Sequence, residues 1–513
     1  MNKKAIVIII ILLIGAIFRL SSSSNGNFIF NMDNARDMVD VREMVILKKL
    51  RLTGPNSAVE GLFNGPAWYY LLAIPFILSG GDPYASIILE IILWAIGGFF
   101  LLKLASRFGK LSLLACGSLW IASNYIVLLN LYAFNPNSVT LLTPLLIFLI
   151  DKYVNSKKFI YALSSFFLGG LFFNFEMNAG VFIPLVIFFA VLLSRSELLK
   201  RKDFWLAILG FIVTLIPQIL FDIKHDFIMS SSVIRFLTES RGIGVNMGQR
   251  ISTIYQSFYG TLSAILMNQK LLTNITVVLF LIYFVNFLRK KNSSQDPLAI
   301  ICLMFILVPF VGYILLPVQV NAWHLGAPMV AAILLLNIIL SCFKFNFLSS
   351  ASSFIISALI IFFAFSNLVK FYTYDRFIKS QDPSEFVNEI AAIDYVYKYA
   401  GNKNFKVYTY LPSVIDYPYQ YLIWWYGLKK FGYLPIDYAY APNKPPYISN
   451  KQHFSASIDS LKKRENSNLV FLIEEPNHNY TRFGWEGDFV KMEKLDLQMV
   501  GPIRIDIRKE IKK

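Results

Sequence analysis

The sequence predicts an α-helical polytopic membrane protein of about eleven transmembrane helices, with a small C-terminal extracytoplasmic α/β domain. Three observations predict it. Of 513 residues, 56% are hydrophobic and only 16% are charged, whereas soluble domains carry about 25% charged residues. The apolar residues fall in runs long enough to cross a bilayer. The basic residues behind the net charge of +16 cluster in short stretches between those runs, as cytoplasmic loops do. That clustering excludes nucleic acid as the partner of the positive charge. Cys116, Cys302 and Cys342 lie inside apolar runs, so they read as small buried hydrophobes with no disulfide framework and no metal-ligand spacing.

The runs cover 4–20, 83–102, 111–130, 138–151, 159–175, 177–194, 204–222, 271–289, 297–316, 324–342 and 351–370. The first follows Met1-Asn2-Lys3-Lys4 and reads as an uncleaved helix with its N-terminus in the cytoplasm. The connections then sort by charge. Lys3/Lys4, Lys103–Lys110 with Arg107, Asp151–Lys158, Arg195–Asp203, Arg289–Lys291 and the loop at Lys344 are short and mostly basic, hence cytoplasmic. Residues 21–82, 131–137, the turn near 176, 223–270, 317–323 and everything after 370 then face outward. The chain thus divides into a membrane module, 1–370, and a soluble extracytoplasmic domain, 371–513, of roughly 140 residues. The apolar stretch 67–80 resists the alternation: counted as a span, it would put Lys103–Lys110 outside and invert every later loop. It therefore reads as an interfacial helix in the first outer loop, with Trp68, Tyr69 and Tyr70 at headgroup level.

The outer segments carry the candidate chemistry. From Asn34 to Leu50 the pattern is helical, with Met38, Val41 and Val45 on one face. Asp33 sits just before it and reads either as the N-cap or as a general base at the membrane surface, beside apolar helices that make its proton affinity tunable. Asp37, one turn on, is a supporting acid or a partner for Arg36 or Arg42. Gly65-Pro66 starts and Gly80-Gly81-Asp82-Pro83 ends the aromatic helix, an anchor or a wall for a lipid-linked ligand. Lys224 and His225 end a helix on the outer side, and Arg235, Arg241 and Arg250 follow. Positive residues there run against the inside bias; they read as lipid-phosphate ligands or as plain headgroup contacts. His324 at another outer helix end and Glu176 at a tight outer turn are further pocket candidates, each with a structural alternative.

In the outer domain, Phe405–Tyr410, Leu469–Ile473 and Ile503–Ile507 read as strands, 384–400 as a helix, and Tyr417–Phe431 as an amphipathic helix. It holds no Ser/His/Asp or Gly-rich catalytic motif, so its expected role is to shape access for an acceptor.

Asp33-Asn34-Ala35-Arg36 with Arg42-Glu43-Met44 resembles the Asp-Glu-Ala-Arg…Arg-Glu-Met stretch of GT-C glycosyltransferases of family 39, the group of protein O-mannosyltransferases and lipid A aminoarabinose transferases. Gly65-Pro66-Ala67-Trp68-Tyr69-Tyr70-Leu71-Leu72 resembles their Gly-Pro, aromatic-pair segment, and Asn135-Pro136-Asn137 an outer-turn Asn-Pro of bacterial members. The likeness runs in order over roughly residues 1–240. It implies a GT-C-like membrane module in a cell membrane, with a polyprenyl-phosphate sugar as donor and Asp33 as catalytic aspartate. Two positions depart from the pattern: Asn34 stands for a glutamate, and Asn64 for a basic residue or histidine before the Gly-Pro. The donor phosphate is then left to Arg36, Lys224, His225 or Arg235, with Asn64, Trp68, Tyr69, Glu176 and His324 as the substrate pocket.

The implied reaction is attack of an acceptor on the anomeric carbon as Asp33 takes its proton. The acceptor is a protein, glycan or lipid. No cofactor is required, and the residues leave room for a divalent cation at Asp33 and Asp37. The rival reading is a transporter or flippase of lipid-linked saccharides, which internal repeats would favour; no convincing repeat is found.

Overall fold

The computed structural model describes residues 3–57, 59–239, 246–289, 296–316, 318–342, 347–371, 381–476 and 481–511. Among these, nine helices are long and apolar enough to cross a membrane: Lys3–Gly26, Tyr84–Phe108, Asn135–Ser156, Met177–Lys200, Lys202–Lys224, Lys270–Arg289, Pro297–Leu315, Ala322–Cys342 and Ser350–Lys370. The other two expected spans fall on shorter apolar helices, Lys110–Ala122 and Phe159–Phe175. The run at 111–130 breaks at Ser123, whose extended backbone (ψ 132°) ends one helix while its side chain accepts from Ile126 N–H to cap the next, Asn124–Leu128. The helices meet closely where side chains vanish. A Cβ on Gly97 would sit 1.8 Å from the Leu141 carbonyl oxygen, so only glycine lets 84–105 press on 135–156.

The two sets of connections gather at opposite ends. At one end Lys4 donates to the Ser106 carbonyl (2.8 Å) and Arg107 makes a two-pronged pair with Asp151 (3.0 and 2.6 Å). These are the loops that charge assigns to the cytoplasm. The Lys344 loop, Lys290, Lys291 and Arg241 lie outside the described residues. At the other end the first loop, the 131–134 turn, the turn at Glu176 and the 318–324 segment converge beneath the C-terminal domain. Helix Ala67–Ser79 begins and ends on this same face: Trp68 reaches Asp37 (2.8 Å), and Tyr421 of the C-terminal domain donates to the Gly81 carbonyl (2.5 Å). Thirteen residues rise about 20 Å, short of the roughly 30 Å hydrocarbon core; the helix does not cross.

The long outer loop expected at 223–270 is instead largely helical, Ile228–Glu239 and Met247–Ile265. Ile254, Phe258, Leu262 and Ile265 form a buried stripe at helical spacing that packs the second helix against the bundle.

The C-terminal domain is a five-stranded sheet in the order β2-β1-β3-β5-β4, with β1 (Lys403–Tyr410), β2 (Asp437–Ala439), β3 (Glu465–Glu474), β4 (Glu493–Val500) and β5 (Ile503–Lys509). β1 runs parallel to β2 and β3; β5 is antiparallel to β3 and β4. Helix Phe386–Ala400 packs Ile393 and Tyr397 on the face of Phe405, Val407 and Phe471, and Trp485 and Phe489 cover Tyr408, Tyr410 and Leu472 on the other. Tyr417–Leu422 is α-helical and widens to a π-helix over Ile423–Phe431. The domain is pinned to the membrane module through residues 28–30. Phe30 N–H donates to the Ser384 carbonyl (2.8 Å), Phe386 N–H to the Phe28 carbonyl (2.9 Å), and the Phe28 and Phe386 rings stack at 4.7 Å.

Candidate active site

The helix that carries the acids runs Met32–Ile46. Its cap is Asn31, two residues earlier than the expected Asp33. Asn31 Oδ1 accepts the N–H of Asp33 (3.0 Å), and Asn31 N–H donates to Asn34 Oδ1 (3.2 Å), a reciprocal capping box. This corrects the reading of Asp33 as N-cap. Because Asn31 does that work, the Asp33 carboxylate is left for side-chain partners, within the first turn where the helix dipole favours negative charge.

Arg36 organises the acids. Its Nη1 donates to Asp33 Oδ1 (2.9 Å), and its Nε and Nη2 reach Asp37 Oδ1 (3.0 and 2.9 Å). Trp68 Nε1 holds the other oxygen of Asp37 at 2.8 Å. Burial opposes the charge on Arg36, but Asp37, Tyr69 and Asp33 more than offset it and hold the guanidinium protonated. Burial lifts Asp37 above the ordinary carboxylate range, and the Arg36 and Trp68 bonds hold part of that back. Asp37 is thus the buried partner of Arg36, while Asp33, 29% exposed, keeps open space in front of it.

That space is a cavity of about 350 Å³ lined by Asp33, Arg36, Asn64, Phe134, Glu176 and His324, among others. Four separate segments supply these side chains. Asn64 Oδ1 accepts the N–H of Met177 (3.0 Å), clamping the first outer loop to the Glu176 turn. Gly65 makes that junction possible, since a Cβ there would fall 1.9 Å from Asn174 Oδ1. Glu176 Oε1 accepts the N–H of Asn178 (3.3 Å), and burial pushes its carboxyl up to about 7. His324 Nδ1 accepts the Asn321 N–H (3.2 Å), which assigns the proton of a neutral ring to Nε2. That Nε2 stands 3.8 Å from Glu176 Oε1.

The cavity therefore joins a surface carboxylate, a fixed guanidinium, a buried carboxyl of raised proton affinity, an imidazole and several amides. Five of the residues expected from sequence meet here: Asp33, Arg36, Asn64, Glu176 and His324. Asp37 stands behind Arg36. Trp68 and Tyr69 are fully buried on the far side of the helix, where Tyr69 Oη donates to Asp40 (2.7 Å) and Trp68 to Asp37. Lys224, His225 and Arg235 are exposed on the outside of the 209–239 segment and do not line the cavity. Among the described residues no group of three or more His, Cys, Asp or Glu is placed to hold a metal ion, and Asp37 has both oxygens engaged.

A second cavity is an apolar slot of about 320 Å³, lined by Phe258, Leu262, Phe284, Leu307, Phe310 and Met329 among others. Met329, on the slot, follows His324, on the chamber, by five residues.

Two crystal structures share this architecture. ArnT from Cupriavidus metallidurans bound to undecaprenyl phosphate aligns over 98% of this chain and 97% of its own, with a TM-score of 0.60 at 10% sequence identity. The apo state of the same protein aligns over the same shares, with a TM-score of 0.57 at 11% identity. The chain has the GT-C fold. No protein-family model and no curated protein sequence matches it.

Within the GT-C fold, three aromatics that the sequence reading passed over flank the cavity. Phe134 and Trp323 line it and meet edge to face at 5.9 Å, and Tyr132 packs on Phe134 at 5.1 Å. Each precedes a helix start at an outer turn: Tyr132 and Phe134 before Asn135-Pro136, Trp323 before the helix from Gly326. That spacing was the available signal. Glu90 was missed as well; its Oε1 accepts the Phe134 N–H (3.2 Å) from inside the bundle and so holds this wall.

Proposed function

We propose that the protein is a membrane glycosyltransferase that moves a sugar from a polyprenyl-phosphate donor to an acceptor on the extracytoplasmic side, with Asp33 as general base. One observation carries the reading: the same molecule holds a chamber with a carboxylate and a fixed guanidinium and, separately lined, an apolar slot. A ligand that fills both has a polar head and a long apolar tail. That ArnT is bound to undecaprenyl phosphate supports the same class of donor.

In this mechanism the sugar lies in the chamber against Phe134 and Trp323, and the prenyl tail in the slot. An acceptor hydroxyl or amine approaches Asp33 from the aqueous side. Its heteroatom bonds to the anomeric carbon, its proton passes to Asp33, and the anomeric carbon–oxygen bond to phosphate breaks. Polyprenyl phosphate leaves with the electron pair, its charge met by Arg36. A single displacement inverts the anomeric centre.

The test is turnover by the purified protein in lipid vesicles. A radiolabelled polyprenyl-phosphate hexose is supplied with cell-envelope lipids, glycans and proteins, and release of polyprenyl phosphate is followed. The expected result is transfer that Asp33→Asn abolishes without lowering the thermal midpoint. Full activity in Asp33→Asn refutes the mechanism. Movement of the saccharide across the vesicle membrane with no new glycosidic bond refutes the enzyme and favours a transporter.

A further inference from the structure

The two oxygens of Asp33 have different partners. Oδ1 takes the guanidinium of Arg36 (2.9 Å); Oδ2 faces Tyr132, whose Oη stands 3.3 Å away. Tyr132 comes from a different segment, fixed from several sides. Asn137 Nδ2 donates to the carbonyls of Leu129 (3.1 Å) and Tyr132 (2.6 Å). Asn130 is held by Arg19 Nε (2.5 Å), and the Ala133 carbonyl accepts from the Asn34 side chain. The phenol oxygen also accepts from Asn31 Nδ2 (3.5 Å), and Asn31 Oδ1 is the cap on the N–H of Asp33. Asn31, Tyr132 and Asp33 thus close a ring. Burial, with the Asp33 charge added, keeps the phenol protonated well above its ordinary range, so the hydroxyl is a donor.

We infer that Tyr132 is a positioning residue for the transfer: its hydroxyl holds Oδ2 of Asp33, so that the carboxylate meets the acceptor in one orientation. The inference rests on Asp33 as the base. The other charged or titratable groups near Asp33 are Arg36 and Asp37 on its own helix and Glu176 and His324 on the cavity wall; among the described residues none of these bonds Oδ2. A carboxylate with one oxygen on a guanidinium and no second partner turns about its side-chain bonds, and each turn carries the lone pairs away from the attacking atom. The ring through Asn31 removes that freedom and ties it to the helix cap.

The experiment is the pH profile of kcat and of donor KM for Tyr132→Phe, in the vesicle assay with a polyprenyl-phosphate hexose. Loss of a hydrogen bond to a charged group predicts a fall in kcat of about tenfold or more, with donor KM unchanged. It also predicts an acidic limb moved to higher pH, because a donor to the ionised base is gone. A merely structural role lowers the plateau and leaves the limb where it was. If Tyr132→Phe does not fold, Asn31→Ser decides: serine keeps the helix cap and loses the amide that holds the phenol, and a smaller loss of the same form is expected. Wild-type kcat and limb in the folded variant, with Asp33→Asn inactive, overturn the inference and leave the function standing. Activity in Asp33→Asn overturns the function itself.

Discussion

If the chamber holds the donor phosphate as proposed, Glu176 makes its binding depend on pH. The side chain is 7% exposed, caps the turn Met177–Gly180 and faces the chamber beside His324. Burial pushes its carboxyl up to about 7, so near neutrality it is a mixture of acid and anion. The donor phosphodiester brings one negative charge. Among the cavity-lining residues described, Arg36 alone is a permanent cation, and it is already shared between Asp33 and Asp37. At about 5 Å and an effective dielectric constant of about 20, two like charges repel by about 3 kcal/mol, or about two decades of affinity. The donor therefore binds the protein whose Glu176 is protonated, and raising the pH through about 7 removes that form.

The sign and size follow. Affinity is flat on the acid side and falls tenfold per pH unit once the carboxyl is ionised, which makes binding about tenfold weaker at pH 8 than at pH 6. The assay is titration of a polyprenyl-phosphate hexose, a diester whose charge is constant over this range, into the detergent-solubilised protein at pH 6, 7 and 8. Glu176→Gln keeps the acceptor for the Asn178 N–H and cannot ionise; its affinity should be the same at all three values and match the wild type at pH 6. His324→Asn should keep the slope. A flat wild-type profile, or a slope that survives in Glu176→Gln, refutes the reasoning.

Two further outcomes test the fold around the site. Gly65→Ala puts a methyl on Asn174, whose amide bonds the carbonyls of Gly170 and Thr214 at 3.0 Å; overpacking there costs about 1–3 kcal/mol, read as a lowered thermal midpoint together with weaker donor binding as the Asn64 clamp shifts. In the C-terminal domain, burial pushes Glu475 up to about 8 and raises Glu389 beside it; a carboxyl that holds its proton more tightly when folded adds stability at low pH and loses it as pH rises to about 8, so the midpoint of the full chain should fall between pH 5 and 8.5, and fall less in Glu475→Gln.

Much of the membrane module is legible because span length is a one-dimensional property: a run of apolar residues either crosses or does not. The placement of 67–80 follows from Lys103, Arg107 and Lys110 alone. Residues 247–265 were hidden for the opposite reason. Their stripe of Ile254, Phe258 and Leu262 is diluted by Gln249, Arg250, Ser252 and Gln256, so hydropathy reads loop where amphipathic packing makes helix. Strands β1, β3 and β5 carry buried apolar residues at strand spacing and read easily; β2 has three residues, and β4, at the sheet edge, is mostly exposed, with three of its eight residues charged. For the candidate site, residue type at a helix end pointed to Asp33, Glu176 and His324, which line one cavity. Which side of a helix a neighbour packs on is a tertiary fact, so Trp68 and Tyr69 were assigned to the chamber and lie behind it. Lys224, His225 and Arg235 likewise lie away from the chamber: charge at a helix end gives depth, not direction.

The attachment of the C-terminal domain has a consequence for catalysis. Phe30 N–H is held by Ser384, and the next residue, Asn31, is both the cap of the acid-bearing helix and the ligand of Tyr132. Any tilt of the domain pulls on a segment that ends one peptide from the cap, and the cap is two hydrogen bonds, through Tyr132, from the Asp33 carboxylate. Helix Tyr417–Leu422 rests on the same helix further along, and Asn450 bonds Glu43 at 2.7 Å. The domain grips the Met32–Ile46 helix at both ends. A movement of the domain therefore reaches the Asp33 carboxylate through the chain and its hydrogen bonds, without a contact of its own to that side chain.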